Sequence, residues 1–290
     1  MQAFEVTSFA SLPLPDGSQR LLQYVVAPVS PLSSAASGSL SQSIPAALTL
    51  VGNSVQFTGP TGLNSAQFQV HGHDQCGATA GVYGIGYTNS ITSVIPAGNE
   101  GSYSGAGKAS PNVIDITSSL PSNLQTPSAL DALVQTITQN ADVVVNAPAG
   151  STANQNSLPA AMSAGNPMTI VVNGNFDLGG NATGFGVLVV TGNFSYDPNT
   201  SWKGVILVIG QGTVTLSNNG NGDGRIEGAI LVAQTRDSSG KLLPDPKLGP
   251  ASFVVSGNQG GLGIYYSSCW IKAAQAPSTF KILSYHQVSP

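Results

Sequence analysis

The chain has 290 residues, of which 41% are hydrophobic and 8% are charged, and its formal net charge is −4. This hydrophobic content excludes global disorder, and the scarcity of basic residues excludes the positive surface that nucleic-acid binding requires. No apolar run approaches the roughly 20 residues that cross a bilayer. The polarity comes mainly from Ser, Thr and Asn, which is typical of a surface that forms hydrogen bonds and carries little charge.

The first part of the chain is predicted to consist of short strands. Residues 4–8 and 20–27 flank a turn at 15–18 and indicate a β-hairpin. Because this hairpin begins within a few residues of the start, we expect a further segment upstream in the native protein, and any membrane attachment through that segment. Two more strands are expected at 47–51 and 54–57.

A polar cluster overlaps the strand that alternation predicts at 68–73. His71 and His73 are two residues apart, so in a strand both side chains point to the same face. With Asp74, and with His286 near the end of the chain, they form a candidate site for Zn²⁺ or another transition metal. The alternative is ordinary surface histidines beside a disulfide.

The two cysteines, Cys76 and Cys269, are interpreted as one disulfide. Low charge and a high content of Asn and Gly are typical of an exported protein, in which cysteines pair. A bond that closes so long a loop would stabilise the fold by roughly 4–5 kcal/mol in the chain-entropy model. Two buried thiols are the alternative.

One α-helix is expected near residues 126–140. Thr126 is a suitable N-cap and Pro127 suits the first helical position, and apolar residues then recur with helical spacing from Leu130 to Ile137. We expect this helix to close the open end of a stack of strands, where an exposed edge would otherwise recruit other chains.

From residue 166 onwards the chain repeats one pattern five times. Short β-branched runs begin near residues 168, 186, 204, 228 and 252, and four of them end in a corner containing Gly. Phe176 and Phe194 are 18 residues apart, as are Gly186 and Gly204. This period is too short for a helix between the strands, so it indicates a solenoid rather than βαβ units.

The fold class predicted is therefore mainly β, as a parallel and right-handed β-helix with one capping helix. Residues 1–65 are expected to form an N-terminal strand region that packs on the solenoid. Residues 66–290 are expected to form the β-helix domain. The last strands are expected at 263–271 and 279–285, where aromatic side chains would flank the C-terminal end.

Four acidic residues are candidates for chemistry. Asp177 and Asp197 follow Phe176 and Phe194, and with Asp223 and Glu227 they would lie on adjacent turns of a β-helix, where paired carboxylates can cleave a glycan. Residues 219–226 also resemble the start of a calcium loop, although Ile230 occupies the position of the final glutamate ligand. A solenoid corner built from Asn and Gly explains the same loop.

The repeats resemble the C-terminal regions of bacterial PilX-type proteins, which assist the assembly of type IV pili. The resemblance lies in residues 184–194, 202–212, 228–233 and 264–270, and residues 4–29 resemble the strands that follow a pilin-type membrane helix in that family. It implies a cell-surface or extracellular location, with pilus components or surface glycans as partners. It carries no active-site residues, and this sequence departs from the family at its start, where the membrane helix is missing.

The sequence thus predicts a non-catalytic, surface-associated structural or adhesive module. The first alternative is a polysaccharide hydrolase or lyase that uses carboxylates on adjacent turns. The second is a binding module for a glycan or another regular surface. That module would need Thr or Asn stacked in register on a flat face, and Thr213 and Thr215 are one such pair in the sequence.

Overall fold

A computed structural model describes residues 4–11, 19–29, 44–61, 67–78, 80–148, 150–216, 222–256, 261–275 and 279–288. Over these ranges the protein is mainly β, with three sheets and two α-helices. The turn predicted at 15–18 lies outside the described residues.

The strands, numbered in chain order, are β1 (Phe4–Ser11), β2 (Gln19–Val29), β3 (Ala46–Val51), β4 (Val55–Thr58), β5 (Gln69–His71), β6 (Tyr83–Tyr87), β7 (Ile91–Val94), β8 (Tyr103–Ser104), β9 (Val113–Asp115), β10 (Val143–Asn146), β11 (Thr152–Asn154), β12 (Met168–Asn173), β13 (Asn175–Leu178), β14 (Thr183–Val190), β15 (Phe194–Tyr196), β16 (Ser201–Gly210), β17 (Thr213–Leu216), β18 (Arg225–Gln234), β19 (Ser252–Val255), β20 (Gly263–Tyr265) and β21 (Thr279–Val288). The helices are α1 (Pro127–Gln139) and α2 (Ser268–Ala274), and single 3-10 turns occur at Glu100–Ser102, Ser122–Leu124 and Gln155–Ser157.

Two of the sheets are parallel throughout. The wide sheet has the order β10-β12-β14-β16-β18 and then divides into two branches, β3-β6-β9 and β20-β5-β8. The narrow sheet has the order β11-β13-β15-β17-β19-β4-β7. From β10 to β19, every strand of the wide sheet is followed in the chain by a strand of the narrow sheet. The third sheet is small and antiparallel, and joins β1, β2 and β21.

The order of strands in the large sheets differs from their order in the chain. β3 and β4 lie beyond β18 and β19, so strands from the predicted N-terminal region of residues 1–65 are part of the same sheets as the repeats. β9 and β10 are consecutive in the chain but lie at opposite edges of the wide sheet. The segment that contains α1 connects these two edges. The division of the chain near residue 65 stays a prediction.

The helix predicted near 126–140 is confirmed. Thr126 Oγ1 accepts a hydrogen bond from the backbone N–H of Ala129, and Leu130, Leu133 and Ile137 are buried. The main strand contacts of α1 are with β12 and β16, two strands inside the wide sheet. The helix therefore covers a face of this sheet, and the expected position at the end of the stack is wrong. The reason is topological, because the chain must return across the sheet from β9 to β10.

Three glycines with positive φ lie at matching positions in the three long strands. Gly186, Gly204 and Gly228 pair with one another across β14, β16 and β18, with φ of +114°, +139° and +148°. Only glycine adopts this backbone conformation without strain. Before Gly204, exposure alternates along β16. After it, every residue to the end of the strand is buried. The long strands therefore have a half-open part and a fully covered part.

The core lies between the two large sheets and is lined by the repeated β-branched and aromatic residues. The rings of Phe176 and Phe194 stack with centroids 6.1 Å apart, and those of Phe57 and Phe253 stack at 6.0 Å. All four side chains are at most 1% exposed. The 18-residue spacing of Phe176 and Phe194 thus corresponds to cross-strand partners in β13 and β15.

The strand predicted at 263–271 is corrected by the structure. β20 ends at Tyr265, and α2 begins at Ser268 with Ser267 as its N-cap. The apolar pattern of this stretch fits either conformation, and the choice is made by partners distant in sequence. The Asp74 carboxylate accepts the backbone N–H of Ser268 at 2.9 Å, which fixes the first turn of the helix.

Candidate functional site

A line of polar and aromatic side chains crosses the outer side of the wide sheet. Its members, which we call the cross-strand row, are Phe185, Lys203, Glu227, Tyr265, His71 and Ser104. They occupy matching positions on six neighbouring strands. Each follows a residue that is buried, so the row faces away from the core.

Glu227 is the centre of the row. Its Oε1 accepts a hydrogen bond from Arg225 Nε at 2.6 Å, and its Oε2 lies 3.6 Å from Lys203 Nζ. Trp270 of α2 donates its indole N–H to the same Oε2 at 3.0 Å. The side chain of Glu227 is 13% exposed. A carboxylate so enclosed by cationic and hydrogen-bonding partners serves to join strands and helix.

Trp270 covers one half of the row. Its ring lies 5.9 Å from the ring of Phe185, and Lys203 Nζ is 5.1 Å from its centroid. These contacts combine apolar packing with a cation–π interaction. Because α2 carries Trp270, the placement of this short helix decides whether the row is covered.

His71 occupies the other half of the row. Its Nε2 lies 2.7 Å from Gln69 Oε1 and its Nδ1 lies 2.9 Å from Ser104 Oγ, while its ring stacks on Tyr265 at 5.1 Å. A neutral ring satisfies both partners by donating from Nε2 and accepting at Nδ1. Burial, and secondarily the charge of His73, lower the pKa of His71 below its ordinary value of 6.5. Both ring nitrogens are therefore engaged within the protein.

The residues of the predicted metal site are not brought together as ligands. Both ring nitrogens of His71 have protein partners, His73 is exposed, and Asp74 accepts hydrogen bonds from Ser268 N and Oγ. Among the described residues, no group of three or more His, Cys, Asp or Glu side chains could hold a metal ion. The side chain of His286 lies outside the described residues, although its backbone pairs with Gln23 in the small sheet.

Cys76 and Cys269 lie at disulfide distance, with 2.30 Å between the sulfur atoms. The bond joins the segment after β5 to the first turn of α2. It acts beside the two Asp74–Ser268 hydrogen bonds, so the first turn of α2 is attached to the segment after β5 by a covalent bond and by polar contacts. Trp270 is positioned by this attachment.

Two of the candidate catalytic acids are close to each other. Asp177 Oδ2 and Asp197 Oδ2 lie 4.0 and 3.3 Å from the point that a Cβ on Gly179 would occupy. Asp177 also accepts a hydrogen bond from Ser195 Oγ at 2.7 Å, and Asp197 accepts one from Gly180 N at 3.2 Å. Both carboxylates thus bind neighbouring turns of the chain.

The other two candidate acids lie in different surroundings. Asp223 is exposed, whereas Glu227 is enclosed within the cross-strand row. Residues 219–221 of the predicted calcium loop lie outside the described residues. The calcium site therefore stays a prediction.

The narrow sheet presents a second polar surface. Thr213, Ser252, Gln56 and Thr92 occupy matching positions on β17, β19, β4 and β7, beside a groove of about 590 Å³. The groove is also lined by Gln211 and Gln234, and none of the described side chains that line it is charged. Neighbouring parallel strands are about 4.8 Å apart, so the row offers hydrogen-bonding groups at a regular spacing.

Sequence reasoning missed both of these surfaces. Phe185, Lys203 and Glu227 are themselves separated by 18 and 24 residues, the same intervals as Gly186, Gly204 and Gly228. That signal was present in the repeats. Tyr265 comes next in the row because β20 pairs with β18, and His71 follows because β5 pairs with β20. No local sequence pattern predicts either pairing.

No described helix has the length and apolar character needed to cross a membrane. Comparison of the chain with protein-family models, with curated proteins and with solved structures finds no match.

Proposed function

We propose that this chain is a non-catalytic structural or adhesive module of a bacterial cell surface, folded as a parallel β-helix. The observation that carries the proposal is the use of the acidic side chains. Glu227 joins two strands and α2, Asp74 holds the first turn of α2, and Asp177 bonds to the next strand through Ser195. The acids that attract interest in the sequence thus act as cross-links of a rigid scaffold.

The β-helix is supported by the path of the chain. Strands alternate between the wide and the narrow sheet from β10 to β19, all pairs are parallel, and the buried residues of both sheets form one cluster. Each circuit buries its apolar side against the next circuit, as in a solenoid. A right-handed path is the expectation for parallel crossovers.

The surface location and the partners follow from the resemblance of the repeats to PilX-type proteins. By this proposal the module is extracellular or cell-surface and contacts pilus components or surface glycans. A long-range cysteine pair and a weakly charged surface support an oxidising, extracellular environment.

An activity assay separates this proposal from a glycan-cleaving enzyme. The chain is incubated with a panel of polysaccharides, and reducing ends and unsaturated products are measured. We expect no turnover above that of an Asp177→Asn, Asp197→Asn double variant. Cleavage that this double variant abolishes would overturn the non-catalytic proposal and assign the chemistry to the two acids near Gly179.

The groove on the narrow sheet supports a second candidate function, the binding of a neutral glycan. Sugar hydroxyls both donate and accept hydrogen bonds, and the groove supplies hydroxyl and amide groups in register without charge. The side chains of Thr213, Ser252 and Gln56 carry such groups at matching positions on three neighbouring strands.

This second function is tested by binding to neutral polysaccharides in a pull-down assay. We expect Thr213→Ala with Gln56→Ala to weaken binding at least several-fold. The matched control is Thr215→Ala, on the same strand as Thr213 but outside the groove lining. Equal binding by all three proteins, or no binding by the unmodified chain, would reject the groove as a glycan site.

A further inference from the structure

The groove on the narrow sheet continues into a second cavity. This cavity, which we call the corner cavity, has a volume of about 550 Å³ and lies along the corners that lead from strands of the wide sheet into β11, β13, β15 and β17. Its lining includes Gly174, Asn175, Gly192 and Asn193. Gln211 lines both the groove and the corner cavity. Because they share this residue, the two cavities adjoin and form one trough.

The trough runs across the strands of the narrow sheet. From Ser151, which directly precedes β11, to Thr92 on β7, it passes all seven strands of this sheet. Neighbouring parallel strands are about 4.8 Å apart, so the six intervals between them give a length of about 29 Å. A surface of this length can contact several sugar units in a row.

Polar side chains repeat along the trough once per strand. Asn175 and Asn193 directly precede the stacked phenylalanines of β13 and β15, which are register partners, so the two asparagines lie side by side. Asn193 lies beside Thr213 in the same way, because the residues that follow them pair across β15 and β17. Asn175 Oδ1 accepts the backbone N–H of Asn193 at 2.9 Å, which fixes the orientation of its amide group. The corner cavity therefore extends the polar row of the groove.

The trough offers no free charge to a ligand. Among the described residues that line it, Arg236 is the only charged one. Its guanidinium donates hydrogen bonds to the Asp131 carboxylate and, at 2.9 Å, to the backbone carbonyl of Gly240. The charge of Arg236 is thus balanced within the protein, and a neutral ligand fits the trough better than an anion or a cation.

The wall of the corner cavity is attached to its floor. The wall is the loop at 236–240, and Gln211 Nε2 donates a hydrogen bond to the carbonyl oxygen of Asp237 at 2.9 Å. None of the described residues that line the trough is aromatic. A ligand would therefore be held by hydrogen bonds to amide and hydroxyl groups of a fixed surface, without stacking on rings.

We propose that the trough binds a neutral, linear polysaccharide laid across the strands of the narrow sheet. The proposal rests on glycan binding by the groove, the second candidate function, and specifies its ligand as an extended chain instead of a single sugar. A sugar unit in an extended chain is about as long as the distance between two strands. Successive units would then meet successive strands, and their hydroxyl groups would donate to and accept from the polar row.

Oligosaccharides of increasing length test the proposal. Disaccharides, tetrasaccharides, hexasaccharides and octasaccharides of three neutral types, those of cellulose, mannan and amylose, are titrated into the protein by calorimetry. An Asn175→Ala, Asn193→Ala variant alters the corner cavity, and the Thr213→Ala, Gln56→Ala variant alters the groove. The matched control is Asn199→Ala, because Asn199 is exposed and lies outside the lining of the trough. Circular dichroism checks the fold of each variant.

We expect at least one type to bind about tenfold more tightly as a hexasaccharide than as a disaccharide, with little further gain for the octasaccharide, because the trough then is full. The corner-cavity variant should weaken hexasaccharide binding several-fold and leave disaccharide binding unchanged, since the groove alone holds the shorter ligand. The groove variant should weaken both, and Asn199→Ala should behave as the unmodified chain does.

The contrary results separate the two proposals. If the unmodified chain binds no oligosaccharide of any length, the groove is not a glycan site and the trough is rejected with it. If it binds them with an affinity that does not depend on length, the groove remains a glycan site and the extended trough alone is overturned. Hexasaccharide binding that is unchanged in the corner-cavity variant overturns the trough in the same way.

Discussion

At the residue scale, Glu227 shows how one carboxylate organises a surface. It receives Arg225, Lys203 and Trp270, which come from two strands and a helix. Its spacing from Phe185 and Lys203 was available in the repeats, whereas Trp270 reaches it only because α2 folds back over the sheet. The alignment of Phe185, Lys203 and Glu227 was therefore predictable from the repeats. The packing of Trp270 over these residues was not.

Removing this carboxylate should destabilise the fold. We expect Glu227→Ala to lower the free energy of unfolding by about 1–3 kcal/mol, because charged hydrogen bonds are lost and two cations are left near each other. Denaturant unfolding measures the change. Asp223→Ala, at an exposed acid, is the control and should alter stability by less than about 0.5 kcal/mol. Equal effects of the two substitutions would contradict the role given to Glu227.

His71 should make stability depend on pH. Its folded-state pKa lies below the ordinary value of 6.5, so the unfolded chain binds more protons as the pH falls through this region. The contribution of His71 to stability is therefore complete above pH 6.5 and is lost as the pH falls toward the folded-state pKa. We expect His71→Gln to remove most of this slope, measured as midpoint denaturant concentration from pH 7.5 to 5. His73→Gln should retain most of it, because burial is the main cause.

At the scale of the element, the close backbone approach between the long strands depends on glycine. Gly204 has φ of +139°, and a Cβ there would collide with the backbone carbonyl oxygen of Gly186. We expect Gly204→Ala to destabilise the protein by more than about 3 kcal/mol, since strain and a backbone clash add. Thermal and denaturant unfolding measure the change. Gly101→Ala is the control, because a Cβ there meets nothing within 4 Å. A mild effect at Gly204 would show that the long strands accommodate a Cβ at this position.

The attachment of α2 gives a second prediction at this scale. Reduction of the Cys76–Cys269 pair should lower the free energy of unfolding by about 2–5 kcal/mol, because the bond restrains a very long loop in the unfolded chain. Trp270 should also become more exposed, seen as a red shift in fluorescence. A Cys76→Ala, Cys269→Ala variant should reproduce both changes and should not respond to a reductant. An unchanged midpoint on reduction would show that the polar contacts of Asp74 hold α2 by themselves.

At the scale of the whole molecule, the N-terminal strands complete the stack that the repeats begin. β3 covers the edge of β18 and β4 covers the edge of β19, where Phe57 stacks on Phe253. Without β3 and β4, the repeats would expose the edges of β18 and β19 and apolar residues such as Phe253, which are buried in the complete fold. A solenoid built in chain order would not have this dependence.

Truncation tests this dependence. We expect a chain of residues 126–275 to lose cooperative unfolding and to bind a hydrophobic dye, because the inner edges of both sheets are uncovered. A chain of residues 44–275, which keeps every strand of the two large sheets, should unfold cooperatively. Circular dichroism during thermal unfolding distinguishes the two. A cooperative transition in the shorter chain would show that the repeats fold without their N-terminal neighbours.

The sequence by itself determined the strands of the repeats, their 18-residue register and α1, because these depend on spacing along the chain. Phe176 meets Phe194, and Gly186 meets Gly204, as the period requires. Only the tertiary structure decided that β3 follows β18, that α1 covers a face, and that α2 replaces the end of a strand. The physical reason is that β-branched strands pair equally well with many partners. Their order is then chosen by burial and by contacts such as Asp74 with Ser268, which link residues distant in sequence.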